Sequence, residues 1–130
     1  MMRAALALIG FAVATATAAA TTPAAAAPAC NVERGARAFE TKCAMCHTAE
    51  RGQGHMLGPN LSRVLGRRIG GAEGFRYSPA LSNSAAAWDE KTLDLFLKSP
   101  AEAMPGTAMP FTGIKNADER AAAVCYLKGK

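Results

Sequence analysis

The residues best placed to do chemistry are two cysteines and a histidine, Cys43, Cys46 and His47. They form the pattern C-x-x-C-H, the attachment signature of a c-type haem. Each cysteine can form a thioether to one porphyrin, and the histidine then lies where it can bind the iron. The C-x-x-C spacing alone also fits half of a zinc site or a redox disulfide. Zinc needs a second ligand pair, but Cys30 and Cys125 are isolated. The surroundings look helical rather than βαβ, so the pattern predicts covalent haem attachment.

A second ligand for the iron is expected on the other side of the haem. Residues 104–111 are too rich in proline for a helix or a central strand, and they carry Met104 and Met109. Either methionine can fill a gap in a core. Prolines close to both sides of Met109 make it a poor place for a flexible filler, so Met109 is the candidate sixth ligand. His55 is a rival metal ligand in principle, but we interpret this loop histidine as a structural hydrogen-bonding residue.

Residues suited to positioning a haem lie in the loops between the C-x-x-C-H motif and the Met109 segment. The carbonyl of Pro59 can accept the free ring N–H of His47, which would orient that ligand. Arg67 and Arg68 are either solvated charges or partners for the haem propionates, which suit a planar bidentate donor. Trp88 is either plain core or an indole N–H donor to a propionate.

Three helices are predicted to hold these loops in place. They cover Val32–Lys42, Glu90–Lys98 and Ala117–Lys128, and the last two begin after the N-cap residues Asp89 and Asn116. Residues 61–65 are expected to form one short helical turn, and the remaining segments are predicted loops. The chain is therefore predicted to be all-α.

The first helix has a glycine on the same face as its haem cysteine. Gly35, Phe39 and Cys43 are four residues apart, so they share one side of a helix. Gly35 is either a tolerated surface glycine or the site where another backbone comes close. The small Ala123 in the last helix is the residue expected opposite it.

The chain of 130 residues is long enough for one small domain. Residues 1–29 combine a short basic start, an apolar run and an Ala/Thr/Pro-rich tract, so we interpret them as a signal peptide and leader before a domain at 30–130. The A-x-A motifs leave the cleavage position open. A retained membrane anchor and a lipidated Cys30 are the alternatives. The formal net charge of +5 comes without blocks of like charge, which argues against nucleic-acid binding.

The order and spacing of these motifs resemble the class I c-type cytochromes, the family of mitochondrial cytochrome c and its bacterial periplasmic relatives. The matching segments are Cys43-Ala44-Met45-Cys46-His47-Thr48, His55-Met56-Leu57-Gly58-Pro59-Asn60-Leu61, Gly66-Arg67, Phe75-Arg76-Tyr77, Trp88, Pro105-Gly106-Thr107-Ala108-Met109, Gly113-Ile114-Lys115 and Glu119-Arg120. The resemblance implies the cytochrome c fold, in which three main helices and loops wrap one covalent haem and the terminal helices cross.

The resemblance also implies the role of each site residue. These are Cys43 and Cys46 as thioether anchors, His47 and Met109 as axial ligands, Pro59 as the acceptor for His47, Thr107 as a support of the methionine loop, and Arg67, Tyr77 and Trp88 around the propionates. It further implies that Cys30 and Cys125 lie near each other, where an oxidising compartment would permit a disulfide.

Three departures from the family pattern stand near the haem. Phe96 replaces a common tyrosine and Leu81 a common asparagine, which predicts a drier pocket and an altered reduction potential. On the expected docking face, Ala101, Glu102, Met56 and Ala108 stand at places where mitochondrial cytochrome c often has lysines, while Lys42 remains. Docking should therefore depend less on salt than in that relative.

The expected function is that of a monomeric, soluble periplasmic carrier of single electrons. Its donor and acceptor would be a cytochrome bc-type complex, a terminal oxidase, a photosynthetic reaction centre or a periplasmic dehydrogenase. The alternative is a haem peroxidase or ligand-binding protein, which would require that Met109 is labile.

Overall fold

The computed structural model describes residues 30–130, so the predicted leader at 1–29 lies outside the described part. Five helices follow one another: α1 (Val32–Lys42), α2 (Pro79–Ser82), α3 (Glu90–Lys98), α4 (Pro100–Ala103) and α5 (Ala117–Lys128). The three long helices, α1, α3 and α5, have the predicted bounds. Within residues 30–130 the only β pairing is an isolated bridge between Arg68 and Ala87, which agrees with the all-α prediction.

Side-chain caps begin each of the long helices. Asn31 accepts a hydrogen bond from the backbone N–H of Arg34, Asp89 from that of Thr92, and Asn116 from that of Glu119. Each cap satisfies one of the N–H groups that the first helical turn leaves without a partner. The sequence signals at positions 89 and 116 were therefore reliable guides to where α3 and α5 begin.

Helices α1 and α5 cross at very close range. A Cβ added to Gly35 would collide with the carbonyl oxygen of Ala122 and would lie 2.6 Å from the Cβ of Tyr126. Gly35 thus marks a close backbone approach, and the nearest neighbour is Ala122, one residue before the predicted Ala123. The rings of Phe39 and Tyr126 extend the contact, with centroids 5.4 Å apart.

Helix α3 packs its predicted stripe of Leu93, Phe96 and Leu97 into the core. An ion pair then joins this helix to α5, because Arg120 Nε donates to Asp94 Oδ1 at 2.7 Å. The Arg120 guanidinium is buried and also donates to the carbonyl of Ile114 at 2.9 Å. It therefore ties α3, α5 and the segment before α5 together.

The segment at 61–65 is a hydrogen-bonded turn rather than the predicted helical turn. The N–H of Val64 donates to the carbonyl of Leu61, but Arg63 has φ +55°, in the left-handed region. A right-handed helical turn cannot pass through that conformation. The short helices α2 and α4 were not predicted; each begins at a proline, which suits the first helical position.

A disulfide joins Cys30, just before α1, to Cys125 in α5, and their Cα atoms are 5.6 Å apart. That separation lies within the usual range for a disulfide. The bond fastens the two terminal helices next to their crossing. No helix within residues 30–130 is long and apolar enough to cross a membrane.

Candidate functional site

The C-x-x-C-H motif lies where α1 ends. Cys43 is the C-cap of the helix, and its N–H donates to the carbonyl of Phe39 at 2.8 Å. The N–H groups of Cys46 and His47 both donate back to the carbonyl of Cys43, at 3.0 and 2.9 Å, which folds the motif into a tight turn. Both cysteines carry free thiols, with Cys43 buried and Cys46 partly exposed. Burial raises the pKa of the Cys43 thiol to about 11.

The ring of His47 is held in one orientation by the segment that follows. Its Nδ1 lies 2.7 Å from the carbonyl oxygen of Pro59. Because a carbonyl only accepts, Nδ1 must carry the proton in this contact. The ring's other nitrogen, Nε2, then holds the lone pair that a metal would need. Burial lowers the pKa of His47, while the Pro59 carbonyl acts in the opposite direction, so the ring is favoured in its neutral, ligating form.

Gly58 lets the Pro59 segment lie flat against that ring. A Cβ added to Gly58 would be 2.7 Å from either ring nitrogen of His47 and closer still to Cε1. The N–H of Gly58 donates to the carbonyl of Cys46 at 2.7 Å, which fixes the segment to the motif. No role was predicted for Gly58 from the sequence, although its place just before Pro59 was a usable signal.

Asn60 and His55 fasten the loop between the motif and this segment. The Asn60 side-chain amide donates to Thr48 Oγ1 at 2.8 Å and to the carbonyl of Glu50 at 2.9 Å. His55 Nδ1 accepts from the N–H of Asn60, and Nε2 lies 2.8 Å from the carbonyl of Glu73. Both nitrogens of His55 are engaged, which confirms its hydrogen-bonding role.

Two buried polar atoms have no hydrogen-bond partner within the described residues, and they point to a missing polar group. They are Nε of Arg67 and the hydroxyl oxygen of Ser78. A buried polar atom without a partner costs about 1–3 kcal/mol, so such atoms usually face a ligand or a water. Arg67 was expected here, but Ser78 was missed because a serine between Tyr77 and Pro79 reads as an ordinary turn residue.

Backbone pairing brings Arg67 and Trp88 to the same part of the fold. The N–H of Gly66 donates to the carbonyl of Trp88 at 2.7 Å, and the N–H of Trp88 donates to the carbonyl of Arg67 at 2.9 Å. Trp88 is buried against Phe96, with ring centroids 5.1 Å apart. Tyr77 is nearby in sequence to Ser78, and its hydroxyl oxygen accepts from the N–H of Ala72 at 3.3 Å.

The methionine loop packs against the core at both of its methionines. Met104 and Met109 are partly buried and contact the hydrophobic cluster, so burial does not single out one of them. Thr107 Oγ1 accepts from the N–H of Met109 at 3.3 Å, which favours the expected support of this loop. Arg68, the other arginine considered as a partner for the propionates, instead donates to the carbonyls of Ser82 and Ser84.

The donors gathered here fit a haem c. Two thiols stand beside a neutral histidine with a free Nε2, and the unpartnered Arg67 Nε and Ser78 hydroxyl suit carboxylates at the edge of such a group. Phe96 and Leu81 are both buried, in keeping with the apolar surroundings expected from these residues. The reduction potential expected to follow from them stays a prediction.

Comparison with known proteins gives one consistent match. The family model for cytochrome c matches residues 32–129. Cytochrome c of Chlamydomonas reinhardtii is 49% identical over 102 residues, which are 78% of this chain and 91% of that protein. The cytochromes c of Sesamum indicum and Guizotia abyssinica are 46% and 44% identical over 102 residues, 78% of this chain and 92% of each relative.

Proposed function

Since the chain belongs to the cytochrome c family, whose members carry electrons on one covalently attached haem c, we propose that it works as a periplasmic shuttle between two redox complexes. It is an electron carrier and not an enzyme, so the peroxidase alternative is set aside. When bound, the haem supplies one-electron chemistry as its iron alternates between Fe(II) and Fe(III). The protein's own residues hold the group, orient its ligands and expose one edge to partners.

His47 carries the proposal, because its orientation prepares it to bind iron. The 2.7 Å contact with the Pro59 carbonyl fixes the tautomer and increases the basicity of the ligating nitrogen. We assign Cys43 and Cys46 as the thioether anchors on the turn that ends in His47. With its ring orientation fixed in this way, His47 would need little rearrangement between the two oxidation states, so little would oppose electron transfer.

Met109 is the proposed sixth ligand, with Thr107 holding its loop. Arg67, through its unpartnered Nε, and Ser78, through its hydroxyl, are proposed to bind the propionates. Tyr77 and Trp88 are proposed to surround the same propionates. Methionine–histidine ligation raises the potential of a haem, which suits a carrier that accepts electrons from a cytochrome bc-type complex and delivers them to a terminal oxidase.

The ligand assignment is tested with two methionine variants. Met109→Leu should abolish the methionine–iron charge-transfer band of the oxidised protein and lower the reduction potential, because the iron loses its thioether ligand. Met104→Leu, at the other partly buried methionine of the same loop, should leave the band in place. If Met104→Leu removed the band and Met109→Leu kept it, the assignment of Met109 would be wrong.

Export to the periplasm is supported by the Cys30–Cys125 disulfide, because disulfides persist mainly in oxidising compartments. The basic, then apolar, then small-residue pattern of residues 1–29 supports it as well. Cell fractionation followed by N-terminal sequencing tests this proposal. A mature protein that begins at position 17, 21 or 30, after one of the A-x-A motifs, is expected in the periplasmic fraction. A full-length cytoplasmic protein would contradict the proposal.

The docking surface is proposed to be the apolar rim next to the thioether motif. Met45 and Leu57 are 82% and 81% exposed, and Met56 is 50% exposed. The turn that carries Met56 and Leu57 is bound to the carbonyl of Cys46 through Gly58. Contiguous exposed apolar patches are typical of protein-binding surfaces, and a haem held by Cys43, Cys46 and His47 would have this rim beside it. Which complexes dock there is tested by reduction and oxidation assays with purified cytochrome bc-type complex, terminal oxidase, reaction centre and dehydrogenase.

A further inference from the structure

Lys130, which follows α5 closely, contacts two separate parts of the loop at 48–62. Its Nζ lies 2.5 Å from Glu50 Oε1. Its backbone oxygen accepts a hydrogen bond from Ser62 Oγ at 3.0 Å. Lys130 therefore joins both parts of the loop to the last helix, and neither contact belongs to the haem assignments made above.

The side chain of Lys130 is held by two neighbours. Its ammonium contacts the Glu50 carboxylate and lies 4.7 Å from the centroid of the Tyr126 ring. The hydrogen bond to Glu50 raises the pKa of Lys130 above its ordinary value, which keeps the ammonium charged. Only 23% of this side chain is exposed, whereas Lys128, which pairs with Glu90 at the same distance, is 61% exposed. Lys130 is thus packed into the structure, and Lys128 makes an ordinary surface ion pair.

Asn60 links the two parts of the loop that Lys130 contacts. Its side-chain nitrogen donates to the carbonyl of Glu50 at 2.9 Å, and its side-chain oxygen accepts from the N–H of Ser62 at 2.7 Å. Pro59, whose carbonyl orients the histidine ring, directly precedes Asn60. Lys130 closes these hydrogen bonds into a ring around the Pro59 segment.

We propose that Lys130 is a positioning residue for His47, because it holds the loop so that the Pro59 carbonyl stays within hydrogen-bond distance of the imidazole. This inference rests on the proposed role of His47 as an iron ligand. The hydrogen bond at Nδ1 makes the ligating nitrogen more basic. A more basic ligand favours Fe(III) and lowers the reduction potential. Loss of the Lys130 contacts should weaken that hydrogen bond and therefore raise the potential.

The sign of the change distinguishes positioning from a plain effect of charge. Removal of a positive charge by itself lowers the reduction potential of an iron centre, because a nearby cation disfavours Fe(III). Lys130→Met should instead raise the potential, since the loop is no longer held. Ser62→Ala removes the other contact of Lys130 without any change of charge, and it should raise the potential as well.

Lys128→Met is the matched control. It removes the same charge and an ion pair of the same length from the same end of α5, but its partner Glu90 lies in α3 and not in the loop. Its potential should stay at the native value or fall slightly. Lys130→Arg keeps both the charge and a donor for Glu50, so it should restore the native potential.

The hydrogen bond itself is followed by NMR on the reduced holoprotein. The Nδ1 proton of His47 should exchange with solvent about tenfold faster in Lys130→Met and in Ser62→Ala than in the native protein. The N–H of Gly58, which donates to the carbonyl of Cys46 at 2.7 Å, should exchange faster too. The amide protons of α3 should keep their native rates, which separates a loosened loop from a general loss of stability.

A raised potential together with faster exchange in Lys130→Met and Ser62→Ala would support the proposal, provided that Lys128→Met shows neither. An unchanged or lowered potential in both loop variants would overturn it, and so would an equal effect of Lys128→Met. Failure of the proposed ligation is distinguishable, because the native holoprotein would then lack the signals of an iron-bound His47 ring. That result would overturn both proposals, whereas failure in the variants alone would leave the ligation of His47 intact.

Discussion

Position 58 shows how a residue without a side chain can determine the behaviour of a metal ligand. The backbone of Gly58 lies against the His47 ring, and Pro59 directly after it provides the carbonyl that orients Nδ1. The hydrogen bond requires this close approach, and the approach requires the absence of a Cβ. The orientation of His47 is thus encoded at positions 58 and 59 as much as at 47.

Gly58→Ala should therefore disturb the iron site. The new Cβ would lie 2.7 Å from the His47 ring nitrogens, so either the ring or the Pro59 segment must move. We expect a loss of about 1–3 kcal/mol in the free energy of unfolding, the usual cost of overpacking. The absorption spectrum should also show weakened His47 ligation.

Gly54→Ala is the matched control, because a Cβ there meets no atom within 4 Å. It should leave the spectrum unchanged and the stability within about 0.5 kcal/mol. If both variants unfolded and absorbed light alike, the fit of Gly58 against His47 would not matter for ligation.

Some site residues could be predicted from neighbouring residues in the sequence, and others could not. C-x-x-C-H is a contiguous signature, and Pro59 was found because a proline carbonyl is an obvious acceptor. The structure supports the placing of His47, Pro59, Thr107 and Arg67, while their haem roles stay predictions. Ser78 and Gly58 were missed because their importance depends on burial and on close contact with chain far away in sequence.

At the scale of the helices, Gly35 allows the crossing of α1 and α5. In an isolated helix, Gly35→Ala would stabilise by about 1 kcal/mol through helix propensity. In the folded protein the added Cβ would collide with the backbone oxygen of Ala122, which cannot move without displacing α5. The clash should outweigh the propensity, giving a net loss of about 1–3 kcal/mol in urea unfolding.

Gly129→Ala provides the control for that variant. Gly129 caps the end of α5, and a Cβ there would meet only the carbonyl oxygen of Tyr126, at 3.5 Å. Its stability should change by less than about 0.5 kcal/mol. A Gly35→Ala protein as stable as the native one would show that α1 and α5 can separate freely at this point.

The Cys30–Cys125 disulfide should strengthen the same crossing. It closes a loop across 95 positions of sequence, and such a bond stabilises mainly by restricting the unfolded chain. The double variant Cys30→Ser/Cys125→Ser should lose about 2–4 kcal/mol in the free energy of unfolding.

Reduction of the native protein by a thiol provides an independent check of that prediction. With the haem iron in the Fe(II) state in all samples, the thiol should lower the stability to the level of the double variant, whereas the variant itself should not respond to the thiol. Equal stability of all forms would show that the Cys30–Cys125 disulfide does not stabilise the fold, and the prediction would be wrong.

The helices were more predictable than the turns between them. Each long helix begins after an Asn or Asp cap, and α1 and α3 also have an apolar stripe, so these signals lie within about a dozen residues. The turn at 61–65 has no such signal: it depends on Arg63 adopting a positive φ, which an arginine normally avoids. The Arg120–Asp94 ion pair joins residues 26 positions apart, a distance at which sequence periodicity carries no information.

At the scale of the whole molecule, the protein carries a positive net charge, whereas its proposed docking rim is apolar. The net charge is +5, but the rim next to Cys46 exposes Met45, Met56 and Leu57. Lys42, the lysine retained on this face, lies 3.6 Å from Glu119, so part of its charge is already compensated. Apolar contact should therefore contribute more to docking than long-range attraction does.

Leu57 is the residue at which this balance is best measured. It is 81% exposed, so Leu57→Ser should leave the stability of the protein unchanged while it removes apolar contact with a partner. We expect the second-order rate of electron transfer to a terminal oxidase or a cytochrome bc-type complex to fall roughly tenfold, as the loss of about 1.4 kcal/mol of contact energy would cause. Leu95→Ser, at a 51% exposed leucine of α3, is the control and should transfer electrons at the native rate.

The salt concentration is the second variable to change in that experiment. Charge-dominated association slows steeply as ionic strength rises, because the Debye length falls to about 8 Å at 0.15 M. For this protein the rate should change less than about twofold between 0.05 and 0.2 M salt, both in the native form and in Leu57→Ser. A steep decline of the native rate with salt, together with no effect of Leu57→Ser, would show that the basic side chains guide docking and that the apolar rim does not.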